Sequence, residues 1–345
     1  MGLLNGDILV VNAGSMSLKL NVVNADDVSQ PVASLEGAPQ VTAVGHRIVH
    51  GGEHFSDPTL IDDAVVAELE SLVELAPLHN APAQAAIKEA RALLPHATHV
   101  AVFDTAFHKT LPDVARTYPL PRRFREQGIR RYGFHGLSVE WAAERVPVAL
   151  LVVCHLGGGA SVTAVKNGLS VDTTMGFTPL EGVPMGTRAG SLDPGALVYL
   201  LRHGVALDEL DQALEHESGL VGLAGSSDVA ALETDSSAEA TLALDIYCYR
   251  IAQAVAAMAV ALGGLDALVF TAGVGEHSAR VRADVCRRLA HVGVAIDTDA
   301  NLNVAGDGAI EAPSSAVKVR VVHSREEVVV ARAVRALVDG STPPR

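Results

Sequence analysis

Ile8-Leu9-Val10-Val11 runs into Asn12-Ala13-Gly14-Ser15, and Leu18-Lys19-Leu20-Asn21-Val22-Val23 returns from it. An apolar run, a polar turn with a glycine and a second run read as strand, tight turn, strand. The same outline recurs much later. Leu150-Leu151-Val152-Val153 leads into His155-Leu156-Gly157-Gly158-Gly159, and Ser161-Val162-Thr163-Ala164-Val165 returns, closed by Asn167-Gly168. Any two glycine hairpins share this outline, but two such units far apart in one chain point to an internal duplication, one copy per domain. Around them, Asp62 to Leu75 and Pro82 to Leu94 carry apolar residues at helical spacing, as do Pro194 to His203 and Ala238 to Leu262. The last of these is apolar nearly throughout and is expected to be buried. Leu265 to Phe270 and Val317 to Val322 read as strands, and Glu326 to Val338 as a final helix. Strands alternating with helices predict an α/β protein.

The chain has 345 residues, enough for two domains, and 49% of them are hydrophobic, enough for a sizeable core. The domain boundary is expected near His108 to Pro119, with the final helix returning to the first domain. A net charge of -14 argues against nucleic acid as a partner, because the arginine cluster at Arg122, Arg123, Arg125, Arg130 and Arg131 sits in an acidic background. Cys154, Cys248 and Cys286 are odd in number and show no CxxC spacing. They fit a reducing cytosol better than a disulfide framework or a zinc site. The opening residues lack the basic start of a signal peptide. The most apolar long stretch, Ile251 to Leu262, is too short to span a bilayer, so no membrane is expected as a partner.

Three glycine-bearing turns follow apolar runs: Asn12 to Ser17, His155 to Gly159, and Ala272 to Glu276. Without a Cβ, backbone N–H groups can approach phosphate oxygens closely. None of the three matches the Walker pattern. Lys19, just past the first turn, is either a phosphate ligand or a solvated strand-edge lysine. Arg47 and Arg188 lie between glycines, in Gly45-His46-Arg47-Ile48-Val49-His50-Gly51-Gly52 and Met185-Gly186-Thr187-Arg188-Ala189-Gly190. A guanidinium serving a buried anion needs such room, and its fork matches phosphate or carboxylate. Pairing with a structural carboxylate is the plainer alternative. Asp104 ends the run Val100-Ala101-Val102-Phe103, where Mg2+ sites form in α/β folds; its plainer role is a helix N-cap. Glu326 opens the final helix, where an N-cap or dipole role is the plainer reading. His135 is bracketed by Gly133 and Gly136 and is either catalytic or a satisfied core histidine.

Together these strings resemble the acetate kinase family, within the acetate and sugar kinase, Hsp70 and actin superfamily. The matching stretches are Asn12 to Ser15, His46 to Gly52, Leu75 to Asn80, Val102 to His108, Arg131 to Gly136, Asp172 to Asp193, Phe270 to Glu276, and Glu326-Glu327. They stand in the family's order and run nearly end to end. The resemblance implies two actin-like, ribonuclease H-like domains from an internal duplication, with an interdomain active-site cleft. The domains are expected at 1–108 with 327–345, and at 109–326. It implies a short-chain carboxylate kinase that makes acetyl phosphate and ADP reversibly from acetate and ATP, by direct in-line transfer. Mg2+ is the implied cofactor, replaceable by Mn2+, and the protein is expected to be a cytoplasmic homodimer. Arg47 and Arg188 would bind the phosphoryl group in flight, His135 would donate to it, and Asp104 would orient the reacting groups. Asn12, Asp104 and Glu326 would hold the metal. Val49, Leu78, His79, Phe134 and Pro179 would line the substrate pocket, against acetate or propionate. Asn12, Ser15, Ser17, Lys19, His155, Gly157, Gly158, Gly159, Asp228, Gly273 and Gly275 would hold the nucleotide and its phosphates.

The departures from the family are Met16 in the first turn, Gly158 in the second, His277 after the third, Ala230 where an arginine is expected, and Leu137-Ser138-Val139 after Gly136, and most bear on the nucleotide side. The segment between Val23 and Arg47 is also short. One alternative keeps the acyl-phosphate chemistry with pyrophosphate or another nucleotide as donor, or with propionate as preferred acid. Another is a non-catalytic nucleotide-binding relative. The retention of Arg47, Asp104, His135, Arg188 and Glu326 speaks against the latter, since such groups are costly to bury without use.

Overall fold

The computed structural model describes residues 6–14, 18–38, 41–72 and 77–340, with the side chains of 77–79 outside that description. The described residues fall into two compact units. One lies within Met1–Lys109, Phe134–Trp141 and Arg325–Arg345, the other within Thr110–Gly133 and Ala142–Ser324.

In the first unit, Ile8–Ala13 forms β1 and Leu18–Val23 forms β2, paired antiparallel with Asn12 opposite Lys19. Ser29–Val32 (β3), Ala43–Ile48 (β4), Thr59–Leu60 (β5) and Thr98–Phe103 (β6) complete a sheet of order β3-β2-β1-β4-β6-β5. Strands β1, β4 and β6 are parallel. They are buried on both faces, which is why β1 reads as an unbroken apolar run rather than an alternating one. Leu9, Val11, Ala13 and Val44 pack against Ala83, Ala86 and Ala90 of the helix Pro77–Leu93. On the other face lies the final helix, Glu326–Val338. Its approach depends on Gly45, where a Cβ would meet Val330 at 2.6 Å and Val334 at 2.8 Å.

The second unit repeats this plan. Its strands are Leu150–Leu156 (β7), Ala160–Lys166 (β8), Leu169–Thr173 (β9), Ala267–Thr271 (β10), Gly308–Ala309 (β11) and Lys318–Val321 (β12), in the order β11-β12-β10-β7-β8-β9. From β9 the pairings run antiparallel, antiparallel, parallel, parallel, antiparallel, as they do from β3. The duplication expected from the two turn outlines is thus present as two six-stranded sheets of one topology. The helix Ala238–Leu262 has the length and apolarity of a membrane span, but it packs on β7 and β8 and is the core helix of this sheet.

Two expectations need correction. The helix predicted from Pro82 begins at Pro77 and carries Pro82 inside it. At the sixth helical position proline removes the bond its N–H would give to the residue 78 carbonyl, a cost that packing of this helix on β1 and β4 offsets. The third glycine turn is instead a short helix, Ala272–His277, entered through Ala272 at φ +65°.

Candidate active site

In the first unit, the parallel register places Asn12 beside Arg47 at the C-terminal ends of β1 and β4, with Asp104 just past β6. Cross-strand partners point to one face, so Asn12, Lys19 and Arg47 share the face covered by the final helix. Arg47 makes a two-point ion pair with Asp104, through Nε to Oδ1 at 3.1 Å and through Nη2 to Oδ2. Its Nη1 reaches Asn12 Oδ1 at 3.4 Å. Asp104 is fully buried and Arg47 is 12% exposed at its side chain. Burial alone would lower the guanidinium pKa; the carboxylates of Asp104 and Glu326 outweigh that and hold it above its ordinary value. Glu326 is half-buried on the first turn of the final helix. Lys19 is exposed.

Gly136 brings residues 134–136 to this cluster. Its N–H donates to the Asp104 carbonyl at 2.9 Å, and a Cβ there would meet that oxygen at 2.1 Å. His135 is held at φ +60°, a conformation that costs a non-glycine residue free energy and that concentrates at functional sites. Phe134 is buried, with its ring 5.4 Å from that of His50, and Val49 is buried beside His50 on the continuation of β4. Asn80 fixes that continuation: the His50 N–H donates to its Oδ1 at 3.2 Å, and its Nδ2 donates to the His50 and Leu72 carbonyls. Asn80 ends one of the matched strings, but the sequence assigned it no role. Ser15 and Ser17, and the side chains of Leu78 and His79, lie outside the described residues.

On the opposite face of β4, His46 and His99 stack with ring centroids 5.3 Å apart and share a 3.0 Å hydrogen bond. His99 Nε2 faces the Leu94 carbonyl at 3.1 Å. A carbonyl only accepts, so His99 donates there and His46 Nε2 donates to His99 Nδ1. His46 Nδ1 is left buried without a partner. Burial, with His99 and Arg91, pushes the His46 pKa down to about 3, and burial lowers that of His99.

In the second unit, β7 and β8 close through Gly157 to Gly159, with the Gly157 N–H donating to the Gly159 carbonyl at 2.9 Å. His155 is buried and pairs in register with Thr271, whose Oγ1 is buried without a hydrogen-bond partner. A Cβ at Gly157 would lie 3.6 Å from the Ala272 Cβ, and one at Gly186 would lie 3.2 Å from the Ser227 Cβ. The second turn, the 185–188 loop, Ser227 and the 272–277 helix therefore cluster. Gly158 and Gly273 face open space, whereas a Cβ at Gly275 would lie 3.3 Å from Phe270 backbone. Asp228 is exposed and caps the helix Val229–Thr234 through the Ala230 N–H at 2.9 Å.

Arg188 differs from Arg47. Its Nη1 donates to the carbonyl of buried Pro179 at 3.1 Å. No carboxylate within ion-pair distance of it is seen among the described residues. Burial lowers its pKa, and Glu215 offsets this only in part. Arg282, which sequence reasoning missed, is 2% exposed and caps the 272–277 helix through the Gly275 and Glu276 carbonyls at 3.0 and 2.7 Å.

Asn12, Asp104 and Glu326 form an all-oxygen donor set with two carboxylates, both within electrostatic reach of Arg47. Mg2+ is usually held by one or two carboxylates and completes its shell with water and substrate phosphates. These residues fit it. Among the described residues no group of three or more His, Cys, Asp or Glu makes a closed cage.

One six-stranded sheet ends in an arginine–carboxylate cluster, and its repeat ends in a glycine turn and a glycine-bearing helix, a duplicated frame of the actin-like kind. Residues 32–332 match the acetokinase family. The chain is similar to an acetate kinase from Gloeobacter violaceus, at 48% identity over 85% of this chain and 76% of that one. Among solved structures it is similar to a propionate kinase from Francisella tularensis, at 32% identity with a TM-score of 0.87 over 95% of this chain and 98% of that one. It is also similar to the Porphyromonas gingivalis acetate kinase, at 33% identity with a TM-score of 0.84 over 96% and 99%. The chain belongs to the acetokinase family.

Proposed function

We propose that this protein is a short-chain carboxylate kinase that transfers the terminal phosphoryl group of ATP to an oxygen of acetate, reversibly. Membership of the family supports a phosphotransferase with a carboxyl acceptor. The observation that carries the reading is the Asn12, Arg47, Asp104 and Glu326 cluster at the ends of parallel strands. A carboxylate is already a competent nucleophile at neutral pH, so the chemistry needs no strong base. Catalysis is then positioning and neutralisation of charge on the equatorial phosphoryl oxygens.

In this reading Arg47 and Arg188 neutralise those oxygens, and His135 donates a hydrogen bond to them. Asp104 orients Arg47 and, with Asn12 and Glu326, holds Mg2+, which when bound screens phosphate charge. Buried Val49 and Phe134 face the methyl of the acid and keep it small. The second-unit turn at 157–159 and the start of the helix Ala272–His277 take the nucleotide phosphates. A cytoplasmic homodimer belongs to the same proposal. The helix Pro194–Arg202 has no buried residue and exposes Val198, Tyr199 and Leu201, a surface that a second copy would cover. Light scattering on Leu201→Glu tests that surface: a dimer reduced to monomer supports it.

The functional test is trapping of acyl phosphate as hydroxamate with Mg2+, ATP and a panel of short acids. Product with acetate or propionate is expected. Absence of product with every short acid and every phosphoryl donor contradicts the reading.

A further inference from the structure

Arg188 is fixed by something other than an opposite charge. Its guanidinium donates to the Pro179 carbonyl at 3.1 Å. That carbonyl sits in the middle of the loop from Thr174 to Gly182, so whatever sets the loop sets the arginine.

The loop is clamped at both ends by one cation. Arg131 Nη1 donates to the carbonyls of Thr173, Thr174 and Met175 at 3.0, 2.9 and 2.9 Å. Its Nη2 donates to Glu181 Oε1 at 2.7 Å. The second Glu181 oxygen accepts from the Tyr118 hydroxyl, and that hydroxyl in turn accepts from the Phe177 N–H at 3.0 Å. Glu181 therefore ties the far end of the loop to its beginning, through Arg131, and to its middle, through Tyr118. Gly176 makes room for this: a Cβ there would lie 1.8 Å from Glu181 Oε2 and 2.1 Å from the Tyr118 oxygen. Burial and the Glu181 hydrogen bond push the Tyr118 pKa up, so the phenol keeps its proton and remains the donor.

We infer that Glu181, held by Arg131 and Tyr118, is a positioning residue for Arg188. It touches no reacting atom; it sets the carbonyl that aims the guanidinium. This rests on the role of Arg188 in the proposed function. Among the described residues the Pro179 carbonyl is the hydrogen-bond acceptor seen for this half-buried guanidinium, with Glu215 acting only through its charge, and small misplacements of a charge stabiliser cost large rate factors.

The test is a double-mutant cycle on kcat, with KM and the urea midpoint measured alongside. Glu181→Gln keeps the shape and an acceptor for Tyr118 but loses the ion pair with Arg131. It is expected to lower kcat about tenfold or more while KM for Mg·ATP and for the acid changes by less than about twofold. In the Arg188→Ala background the same substitution is expected to change kcat by less than about twofold, the residual for uncoupled sites. Tyr118→Phe gives a smaller drop in the same direction that also vanishes without Arg188, and it carries the test if Glu181→Gln does not fold. Equal factors in both backgrounds, or an unchanged kcat in Glu181→Gln, overturn the inference. Wild-type protein that makes no acyl phosphate, or Arg188→Ala with undiminished turnover, overturns the functional reading itself and is seen before the cycle is closed.

Discussion

The two sheets share a topology and differ in what stands at their ends. The Asp104 N–H donates to the Ile48 carbonyl at 2.9 Å, and the Val322 N–H donates to the Phe270 carbonyl at 3.0 Å. Asp104 and Val322 therefore occupy matching places, as do Arg47 and Val269, one residue earlier on β4 and β10. Where the first sheet carries a buried ion pair, the second carries two valines. The second unit brings Arg188 from a loop outside the sheet, with no carboxylate within ion-pair distance among the described residues. A duplicated framework thus supplies strand ends twice, and side-chain charge decides what each end can do.

The largest effect expected from this contrast is at Asp104. Asp104→Asn keeps the hydrogen-bonding shape around Arg47 but removes the charge, and it should lower kcat by about two orders of magnitude or more. Val322→Ala, at the matching place, should cost some stability and leave kcat within about twofold, as for a site uncoupled from the chemistry. Steady-state kinetics on both checks this, and similar losses would break the comparison.

Next in size is the acid pocket. Val49→Ala should shift relative kcat/KM from acetate toward propionate and butyrate, since one methylene is worth about 1–3 kcal/mol in an apolar pocket. Unchanged ratios across the acids would show that Val49 does not face the substrate.

The second-unit end should discriminate bases poorly. Gly158 faces open space, Ala230 is exposed, and Asp228 is engaged as a helix cap. An absent cation–π contact and an absent hydrogen bond together remove about one to two orders of magnitude in affinity. GTP and CTP should therefore support turnover within about tenfold of ATP, and pyrophosphate should be tested beside them. A strong preference for ATP over all three would mean that other residues, such as His277, rebuild the base site.

The smallest effect lies behind Arg47, at the buried His46–His99 pair. The folded pKa of His46, about 3, is below the ordinary imidazole value. The unfolded chain then binds more protons in between, so stability is present above about pH 6.5 and is lost as pH falls toward that folded value. Each imidazole contributes a slope of up to about 1.4 kcal/mol per pH unit. Urea unfolding of His46→Leu between pH 4.5 and 6.5 should show a shallower slope than the parent, and equal slopes would remove His46 from the account.

Much of this was legible in the sequence because it is local. The strand–turn–strand outlines and the helices Ala238–Leu262 and Glu326–Val338 follow from short patterns. Arg47, Asp104, Asn12 and Glu326 were each ambiguous alone and gained meaning from the family strings around them. What stayed hidden depends on long-range pairing. Glu181 meets Arg131 across 50 residues and Tyr118 across 63, and no spacing rule joins them. The helix over Ala272–His277 was missed because its two glycines signal a turn, and its stabilisation comes from Arg282, buried beyond it. The start at Pro77 was missed because Pro82 reads as a boundary.

The paired cation and the cation held by a carbonyl can be told apart in one measurement: urea unfolding and kcat on Arg47→Ala and Arg188→Ala in parallel. Both should lose about two orders of magnitude or more in kcat. Arg47→Ala should also lose about 3–5 kcal/mol of stability, because it breaks the buried ion pair with Asp104. Arg188→Ala should keep its stability within about 1 kcal/mol. Equal destabilisation of the two variants, or a loss in KM alone, would contradict the division of charge between the two units.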